Sequence, residues 1–254
     1  GVFVAEGRKM FLEAPADWLK QVYVSESFYE ACTQGNMQDG MKSYIQKHGE
    51  ENLNRKVLER LDKTGYEVVA DNVFKSVSDT QTPQGILCVI KKPEYELEEL
   101  LKGEQTHLLI LESIQDPGNL GTIIRLADWF GIEHIFCSNN TVDAFNPKTI
   151  QATMGAIARV KLHYCSLYEL ISNLKDVPVY GTFLDGEDIY TQKLSSNGLI
   201  IMGNEGNGIS QEVEQLINKR LYIPNYPQSR ETSESLNVAI ATAIVCSEFR
   251  RQAL

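Results

Sequence analysis

The chain lacks long apolar runs and any signal that would direct it into a membrane. Its apolar runs, such as 108–111 and 199–202, are as short as strands, whereas a membrane-crossing helix needs roughly 18 or more apolar residues. The N-terminus has no basic-then-apolar signal pattern. It also lacks an initiator Met and begins inside a strand-like run, which suggests a trimmed chain. We therefore expect no membrane segment.

Cysteine motifs and metal-binding patterns are also missing. The five cysteines are scattered, without a C-x-x-C pair and without a histidine at ligand spacing. An odd number of mostly apolar-flanked thiols is typical of reduced, intracellular proteins. The sequence therefore predicts a cytoplasmic protein without a metal site.

Positive charge is scarce as well. The 24 lysines and arginines are outnumbered by 34 aspartates and glutamates, the net charge is −10, and no basic run occurs. Phosphate binding needs local positive potential. An RNA partner would therefore have to contact a small patch, or depend on a basic N-terminal segment that is absent from this sequence.

The 254 residues are enough for two domains, and the two halves differ in pattern. Residues 1–92 alternate short elements: we predict strands at 2–5, 22–25, 66–70 and 85–90, with helices around Lys9, Phe28 and Val73. The polar stretch 33–54 contains three glycines and predicts either a mobile insertion or a poorly packed helix. Residues 93–105 form an acidic, helix-like connector that predicts a domain boundary.

From residue 106 onward, near-continuous apolar runs alternate with helical patterns. The runs lack inside–outside alternation, which is typical of strands buried on both faces. The predicted strands are 106–112, 132–137, 177–182, 198–203 and 220–224, and the predicted helices lie near 119–130, 147–157, 166–175, 209–219 and 235–252. The sequence thus predicts an α/β fold with a mainly parallel sheet that helices cover on both sides.

Three glycine-punctuated segments lie in this half, at 116–125, 202–210 and 223–237. Each follows an apolar run and opens a helical pattern, so each places backbone amides and polar side chains at the carboxyl end of a strand. Ligands of open α/β sheets bind at that edge. We therefore predict that the three segments assemble a single site.

The first segment contains Pro117-Gly118, which ends the strand, and Asn119, which we predict to be the N-cap of the following helix. Arg125 has two interpretations. It is either a surface residue paired with Asp128 or Asp116, or a fixed guanidinium that holds a phosphate or carboxylate by two hydrogen bonds.

The second segment has glycines at 203, 206 and 208, which allow positive φ angles and a close approach of the backbone to a ligand. Their order differs from the dinucleotide fingerprint G-x-G-x-x-G, and no Gly-Lys-Ser/Thr occurs in the chain. We therefore exclude a nicotinamide cofactor and a P-loop. Glu205 either complements the charge of a helix N-terminus or faces the ligand.

The third segment combines the long loop 225–234 with Ser235 and Asn237. We predict Ser235 to be the N-cap of the final helix, whose residues 238–245 are apolar nearly all round and belong in a core or an interface. Capping explains the polar Asn237 less well. We do not expect a hydrolase built on Ser235, because all four histidines lie outside the three segments.

The three segments resemble the three motifs of the SpoU (TrmH-type) RNA ribose 2′-O-methyltransferases of the SPOUT class. The matching phrases are Asn119-x-Gly121-x-x-x-Arg125-x-Ala127, Gly203-x-Glu205-Gly206-x-Gly208-Ile209-Ser210, and Ile223-Pro224 followed by Ser235-Leu236-Asn237-Val238-Ala239. The resemblance covers about residues 106–252, with the motifs in the family's order. Through segments 3–7 and 78–86, the first half resembles the family's substrate-binding domain, a small α/β fold like ribosomal protein L30e.

The resemblance implies transfer of a methyl group from S-adenosylmethionine to a ribose 2′-hydroxyl of RNA. It implies a substrate-binding domain at 1–92, a linker at 93–105 and a methyltransferase domain at 106–254. The C-terminal domain would contain a deep trefoil knot, an exception to the rule that chains do not thread themselves, and would form a homodimer whose sites draw residues from both subunits. The matching catalytic positions are Asn119, Arg125, Glu205, Ser235 and Asn237, and the matching cofactor contacts are Thr182, Gly203, Ile223 and Leu236.

The L30e-like domain favours ribosomal RNA over transfer RNA, because it suits a structured RNA loop that is recognised by shape. A guanidinium holds its proton too firmly to act as a base, so we interpret Arg125 as the anchor for the phosphate beside the target ribose. Two alternatives stay open: a noncatalytic RNA-binding protein that has kept the fold, and a methyltransferase acting on a base or a small molecule. The loop 225–234 is longer than the family's short glycine turn, so its contacts cannot be transferred.

Overall fold

The computed structural model describes residues 1–34, 44–95, 107–174, 176–227 and 235–253. The chain divides into two compact units, Gly1–Glu94 and Tyr95–Leu254. Most of the predicted linker 93–105 lies outside the described residues.

The first unit contains a small mixed sheet. Its strands are β1 (Val2–Glu6), β2 (Leu19–Ser25), β3 (Glu67–Val69) and β4 (Ile86–Lys91), and its helices are α1 (Arg8–Glu13), α2 (Glu26–Gln34), α3 (Tyr44–Thr64) and α4 (Asp71–Val77). The strand order is β1-β4-β2-β3. Strand β4 is antiparallel to both neighbours, and β2 and β3 are parallel. All four strands lie where the sequence predicts them.

Helix α3 clarifies the polar stretch 33–54. The helix begins at Tyr44 within that stretch and continues to Thr64. Its buried residues include Val57 and Leu61, four positions apart on one face. The apolar signal for this helix therefore lies beyond residue 54, which is why the stretch itself gave only a choice between an insertion and a poorly packed helix. Residues 35–43 lie outside the described residues.

The second unit is an α/β domain. Its strands are β5 (His107–Leu111), β6 (His134–Ser138), β7 (Lys161–Cys165), β8 (Val179–Asp188), β9 (Gly198–Met202) and β10 (Lys219–Tyr222). Its helices are α5 (Pro117–Trp129), α6 (Pro147–Thr153), α7 (Leu167–Asn173), α8 (Gln211–Glu214) and α9 (Val238–Ala253).

The six strands form one sheet in the order β10-β8-β9-β5-β6-β7. Every strand pairing in it is parallel. The central strands β5 and β9 are buried along their whole length, as expected for strands covered on both faces. The predicted α/β fold with a mainly parallel sheet is therefore confirmed. The knot implied by the resemblance stays a prediction.

One strand was missed, and two predicted helices need correction. Strand β7 was not predicted, because at the sheet edge its residues are mostly half-exposed and polar and apolar side chains are mixed. The helix predicted at 147–157 ends at Thr153, since Met154 adopts a left-handed backbone conformation with φ 52°. The helix predicted at 209–219 is reduced to α8, while Leu216 and Ile217 pack against the core beyond its end.

No helix in the described part of the chain is both long enough and apolar enough to span a membrane.

Helices α5 and α6 approach each other closely at Gly121. A Cβ atom built on Gly121 would lie 2.5 Å from Ala152 Cβ and 2.6 Å from the carbonyl oxygen of Thr149. Both distances are far shorter than van der Waals contact, and the second involves backbone that cannot rotate away. Gly121 therefore fixes the spacing of the two helices and, through α5, the position of the first motif.

We expect Gly121→Ala to destabilise the protein by roughly 1–3 kcal/mol through overpacking, although alanine is the better helix former by about 1 kcal/mol. Urea unfolding followed by circular dichroism measures the change. Gly206→Ala is the control: its Cβ would meet only Asn204 Oδ1, at 3.5 Å, so its unfolding free energy should stay within about 0.5 kcal/mol of wild type. A Gly121→Ala variant as stable as wild type would contradict the packing argument.

Candidate active site

A cavity of about 750 Å³ lies at the carboxyl ends of β8, β9 and β10. This is the edge at which parallel α/β sheets bind ligands. Its wall includes all four residues predicted as cofactor contacts, namely Thr182, Gly203, Ile223 and Leu236. The structure thus brings the second and third motifs to one cavity.

The loop after β9 owes its shape to Asn204. The backbone groups of Asn204 and Gly208 exchange two hydrogen bonds, of 3.0 and 2.8 Å. The side-chain oxygen of Asn204 accepts from the amides of Gly206 and Asn207, and its Nδ2 donates to the carbonyl of Ser113 at 2.8 Å. A Cβ on Gly203 would lie 2.5 Å from the carbonyl carbon of Gly208. Glycine is therefore required at 203 for the loop to close on itself.

Three polar side chains, one from each motif, meet in a hydrogen-bonded triangle. Asn119 Nδ2 donates to Glu205 Oε1 at 2.6 Å. Asn237 Nδ2 donates to Asn119 Oδ1 at 3.0 Å and to Glu205 Oε1 at 3.2 Å. Glu205 also lines the cavity. The structure therefore gathers three of the five predicted catalytic residues at one point, and we call them the polar triangle.

The cap of α5 differs from the prediction. Asp116 is the N-cap, its Oδ1 accepts from the amide of Asn119 at 2.8 Å, and Pro117 occupies the first helical position. The prediction that Asn119 caps this helix is wrong, because proline suits the first turn and the helix starts earlier. The side chain of Asn119 can therefore take part in the polar triangle.

The cap of α9 was also wrongly assigned. Asn237 Oδ1 accepts from the amides of Ala239 at 3.0 Å and Ile240 at 3.3 Å, so Asn237 rather than Ser235 caps the helix. Ser235 lies two residues before the cap, is exposed and lines the cavity.

Glu205 contacts the start of the same helix, because its Oε1 accepts from the amide of Val238 at 3.4 Å. Glu205 thus complements the N-terminus of α9 and also lines the cavity, and its role toward a ligand stays a prediction.

Arg125 lies on the exposed face of α5. The interpretation that pairs it with Asp128 or Asp116 fails: Asp128 binds Arg159 at 2.7 and 2.8 Å, and Asp116 caps α5. Among the described residues, no hydrogen bond or ion pair involves the Arg125 guanidinium, and the cavity wall does not include it. One chain therefore does not place Arg125 beside the polar triangle.

Two residues of the site were missed by the sequence reasoning. Glu112 is buried at the end of β5, and its Oε2 accepts from the amide of Ser210 at 2.9 Å. A carboxylate directly after an apolar strand was the available signal. Arg220 lies in the cavity wall on β10, stacks on the ring of Phe183 and binds Asp185 and Glu214. No pattern in the sequence marked it.

Arg220 and Asp185 each stabilise the charged form of the other. The hydrogen bond from Arg220 holds the pKa of the Asp185 carboxyl below its usual range. In turn the bonds to Asp185 and Glu214 raise the pKa of the Arg220 guanidinium.

The described histidine side chains lie away from the cavity wall, at 107, 134 and 163. Burial lowers the pKa of His107 and His134, and together with His134 and Lys161 it lowers that of His163 to about 4. None of these three imidazoles offers a base to the cavity.

All five cysteines are free thiols. The described residues hold no cluster of three or more His, Cys, Asp or Glu side chains that could bind a metal ion.

Comparison with known families matches both parts of this chain. The profile of the SpoU rRNA Methylase family matches residues 106–247, which is more than half of the chain and includes the cavity and the polar triangle. The chain belongs to the SpoU rRNA methylase family. A second profile, described as RNA 2′-O ribose methyltransferase substrate binding, matches residues 25–96 of this SpoU family member.

Similar proteins support the assignment. RlmP of Bacillus subtilis, a 23S rRNA (guanosine(2553)-2′-O)-methyltransferase, is 36% identical over 72% of this chain and 71% of its own length. RlmB of Neisseria meningitidis, a 23S rRNA (guanosine-2′-O-)-methyltransferase, is 29% identical over 82% of this chain and 86% of its own length.

Solved structures agree. An AdoMet-bound rRNA methyltransferase from Sinorhizobium meliloti superposes with a TM-score of 0.77 at 26% identity, covering 100% of this chain and 88% of that one. A TrmH-family structure from Porphyromonas gingivalis gives 0.73 at 32% identity, covering 99% and 90%. The family and the enzyme class predicted from the three motifs are confirmed.

Asn237 has two separable tasks, capping α9 and completing the polar triangle. We expect Asn237→Ala to lose about 1 kcal/mol of stability with the cap, and to lose methyl transfer about tenfold or more because the triangle loosens. Asn237→Ser keeps a capping oxygen but cannot reach Asn119 and Glu205, so it should retain more stability and lose as much activity. Thermal melting and a methyl-transfer assay measure the two effects. A fully active Asn237→Ser variant would contradict the proposed role of Asn237 in the polar triangle.

Proposed function

We propose that this SpoU family member transfers the methyl group of S-adenosylmethionine to a ribose 2′-hydroxyl of ribosomal RNA. The observation that carries the proposal is the polar triangle, which joins one side chain from each motif at the edge of the cavity. The choice of ribosomal RNA is supported by relatives such as RlmP and RlmB, which act on 23S rRNA.

The cavity suits S-adenosylmethionine in size and lining. Its volume of about 750 Å³ falls within the range of small-molecule sites. Apolar walls from Met202, Ile209 and Leu221 accompany exposed backbone around Gly203. We assign the cofactor's contacts to Thr182, Gly203, Ile223 and Leu236, as the resemblance implies. When bound, the cofactor supplies an electrophilic methyl group on a positively charged sulfur.

The polar triangle would hold the acceptor hydroxyl in place. All the described hydrogen bonds to Glu205 end on Oε1, from Asn119, Asn237 and the amide of Val238. Oε2 therefore stays available to accept a hydrogen bond from a ribose hydroxyl. A fixed hydroxyl oxygen accelerates the transfer chiefly by orientation, since the two reacting groups no longer have to find each other. Ser235, exposed at the cavity wall, would contact the same ribose.

Arg125 would act from a second subunit. Large apolar side chains are exposed on the two helices of the first and third motifs: Trp129 on α5 is 84% exposed and Ile240 on α9 is 53% exposed. Exposed apolar surface of this kind supports a protein interface. A homodimer built on α5 and α9 would bring the partner's copy of this arginine to the polar triangle, where it would anchor a phosphate next to the ribose. The trefoil knot belongs to the same proposal.

The first unit would bind the RNA. The match of residues 25–96 to a substrate-binding profile supports this role. The domain division at 1–92, 93–105 and 106–254 and the cytoplasmic location complete the proposal; the five free thiols support the latter.

Transfer of a radioactive methyl group from S-adenosylmethionine to ribosomal RNA tests the reaction. RNA from cells without this gene should accept methyl groups, and RNA from wild-type cells should accept few. Mass mapping should place the new methyl on a single ribose. Methylation of a base, or none at all with cofactor bound, would overturn the proposal in favour of one of the two alternatives.

Heterodimers test the role of Arg125. We expect Arg125→Ala and Glu205→Gln to be inactive as homodimers, and a purified heterodimer of the two to recover about half of wild-type activity, because one of its two sites is complete. A heterodimer of Asn119→Ala with Glu205→Gln is the matched control and should stay inactive, since each site lacks one group. Sedimentation should show dimers throughout. If Arg125 acted within its own chain, the first heterodimer would stay inactive as well.

A further inference from the structure

Strand β8 bulges where it runs past the cavity, and it pairs with β10 on both sides of the bulge. Arg220 of β10 pairs with Gly181, but the next residue, Leu221, pairs with Glu187. The pairing of β8 with β9 also ends at Gly181. Residues 182–186 therefore form a bulge without a paired residue on either neighbouring strand, and its last residue, Gly186, lies against the backbone of Leu221. We call these residues the lip.

The lip forms part of the cavity wall through Thr182, Phe183 and Leu184. Leu184 is 71% exposed although it is apolar. A ligand in the cavity would cover this side chain and remove its apolar surface from water. The position of the lip thus bears directly on how well the cavity encloses a ligand.

Arg220 fastens the lip to the rest of the domain. Its guanidinium lies 3.6 Å from the centre of the Phe183 ring. Its NH2 donates to Asp185 Oδ1 and its NH1 donates to Glu214 Oε1, each at 2.5 Å. The flat face of the guanidinium therefore contacts Phe183 and one of its edges binds Asp185, and both residues belong to the lip. The other edge binds Glu214 of α8.

These contacts contribute little to folding. The side chain of Asp185 is 75% exposed, that of Glu214 is 40% exposed and that of Arg220 is 35% exposed. Ion pairs with this exposure add little to the free energy of unfolding. They do restrict a segment that has no sheet pairing, and restricting a binding segment in advance lowers the entropy that binding costs.

We propose that Arg220 is a positioning residue that clamps the lip over the cavity and thereby sets the affinity for S-adenosylmethionine and its rate of release. This inference rests on the proposed function. The clamp requires arginine, because the ammonium group of a lysine cannot stack on Phe183 and bind Asp185 and Glu214 at the same time.

Calorimetric titration with S-adenosylmethionine tests the clamp without relying on turnover. We expect Arg220→Ala and Arg220→Lys each to bind about tenfold more weakly, as stacking and the forked bonds are lost together. Surface plasmon resonance should show the change mainly as faster release. In assays at saturating cofactor, kcat should stay within about twofold of wild type while KM for the cofactor rises.

Two further variants separate the clamp from a general loss of structure. Asp185→Asn alters only an exposed edge of the clamp and should weaken binding about threefold, and adding it to Arg220→Ala should cause little further loss, because both act through the same contact. Arg55→Ala removes an exposed ion pair with Glu59 in the first unit and should bind as wild type does.

The outcomes are distinguishable. A wild-type protein that does not bind S-adenosylmethionine would overturn the proposed function itself. Wild-type binding with unchanged affinity in both Arg220 variants would overturn the clamp alone. The clamp would also be overturned if the Arg220 variants showed a lower melting temperature and a lower kcat while Asp185→Asn bound the cofactor with unchanged affinity. That result would mean that Arg220 only supports the fold.

Discussion

Oε1 of Glu205 accepts hydrogen bonds from Asn119 Nδ2 at 2.6 Å, Asn237 Nδ2 at 3.2 Å and the amide of Val238 at 3.4 Å. The donors belong to the starts of α5 and α9, whereas the acceptor belongs to the loop after β9. One oxygen atom thus fixes two helix ends relative to a loop. The polar edge of the cavity depends on this arrangement, because no regular secondary structure pairs these three segments with each other.

The loop that carries Glu205 is itself fixed from β5. Asn204 donates to the carbonyl of Ser113, and Glu112 accepts from the amide of Ser210, so both ends of the loop are bonded to the end of one buried strand. Hydrogen bonds to charged or partly buried groups are costly to leave unmade. These bonds hold the loop after β9 in a fixed position against the sheet, although the loop pairs with none of its strands.

The sequence predicted the inner strands of the large sheet well and missed one edge strand, β7, for a physical reason. A strand that is buried on both faces must be apolar throughout, as β5 and β9 are, so its pattern has one interpretation. Strand β7 has one partner, and its mixed exposure erases that pattern. Residue types and motif order were sufficient for the family, for four residues of the cavity wall and for the three residues that form the polar triangle.

Caps and contacts between segments were harder to predict. Each helix start offers two polar residues, and the choice between Asp116 and Asn119, or between Ser235 and Asn237, depends on where the helix begins. That depends on packing as well as on local preference. The contacts of Arg220 follow from a register change between β8 and β10, and no local pattern encodes such a change.

Glu205 also places a carboxylate group in the wall of the cavity, between the starts of α5 and α9. A phosphate oxygen brought against its carboxylate would be repelled, while a sugar hydroxyl can donate to it. Under the proposed function, an incoming polynucleotide would therefore meet this carboxylate with a sugar edge and keep its phosphates away from it. Under that function, a protein of net charge −10 would use negative charge to orient a negatively charged substrate.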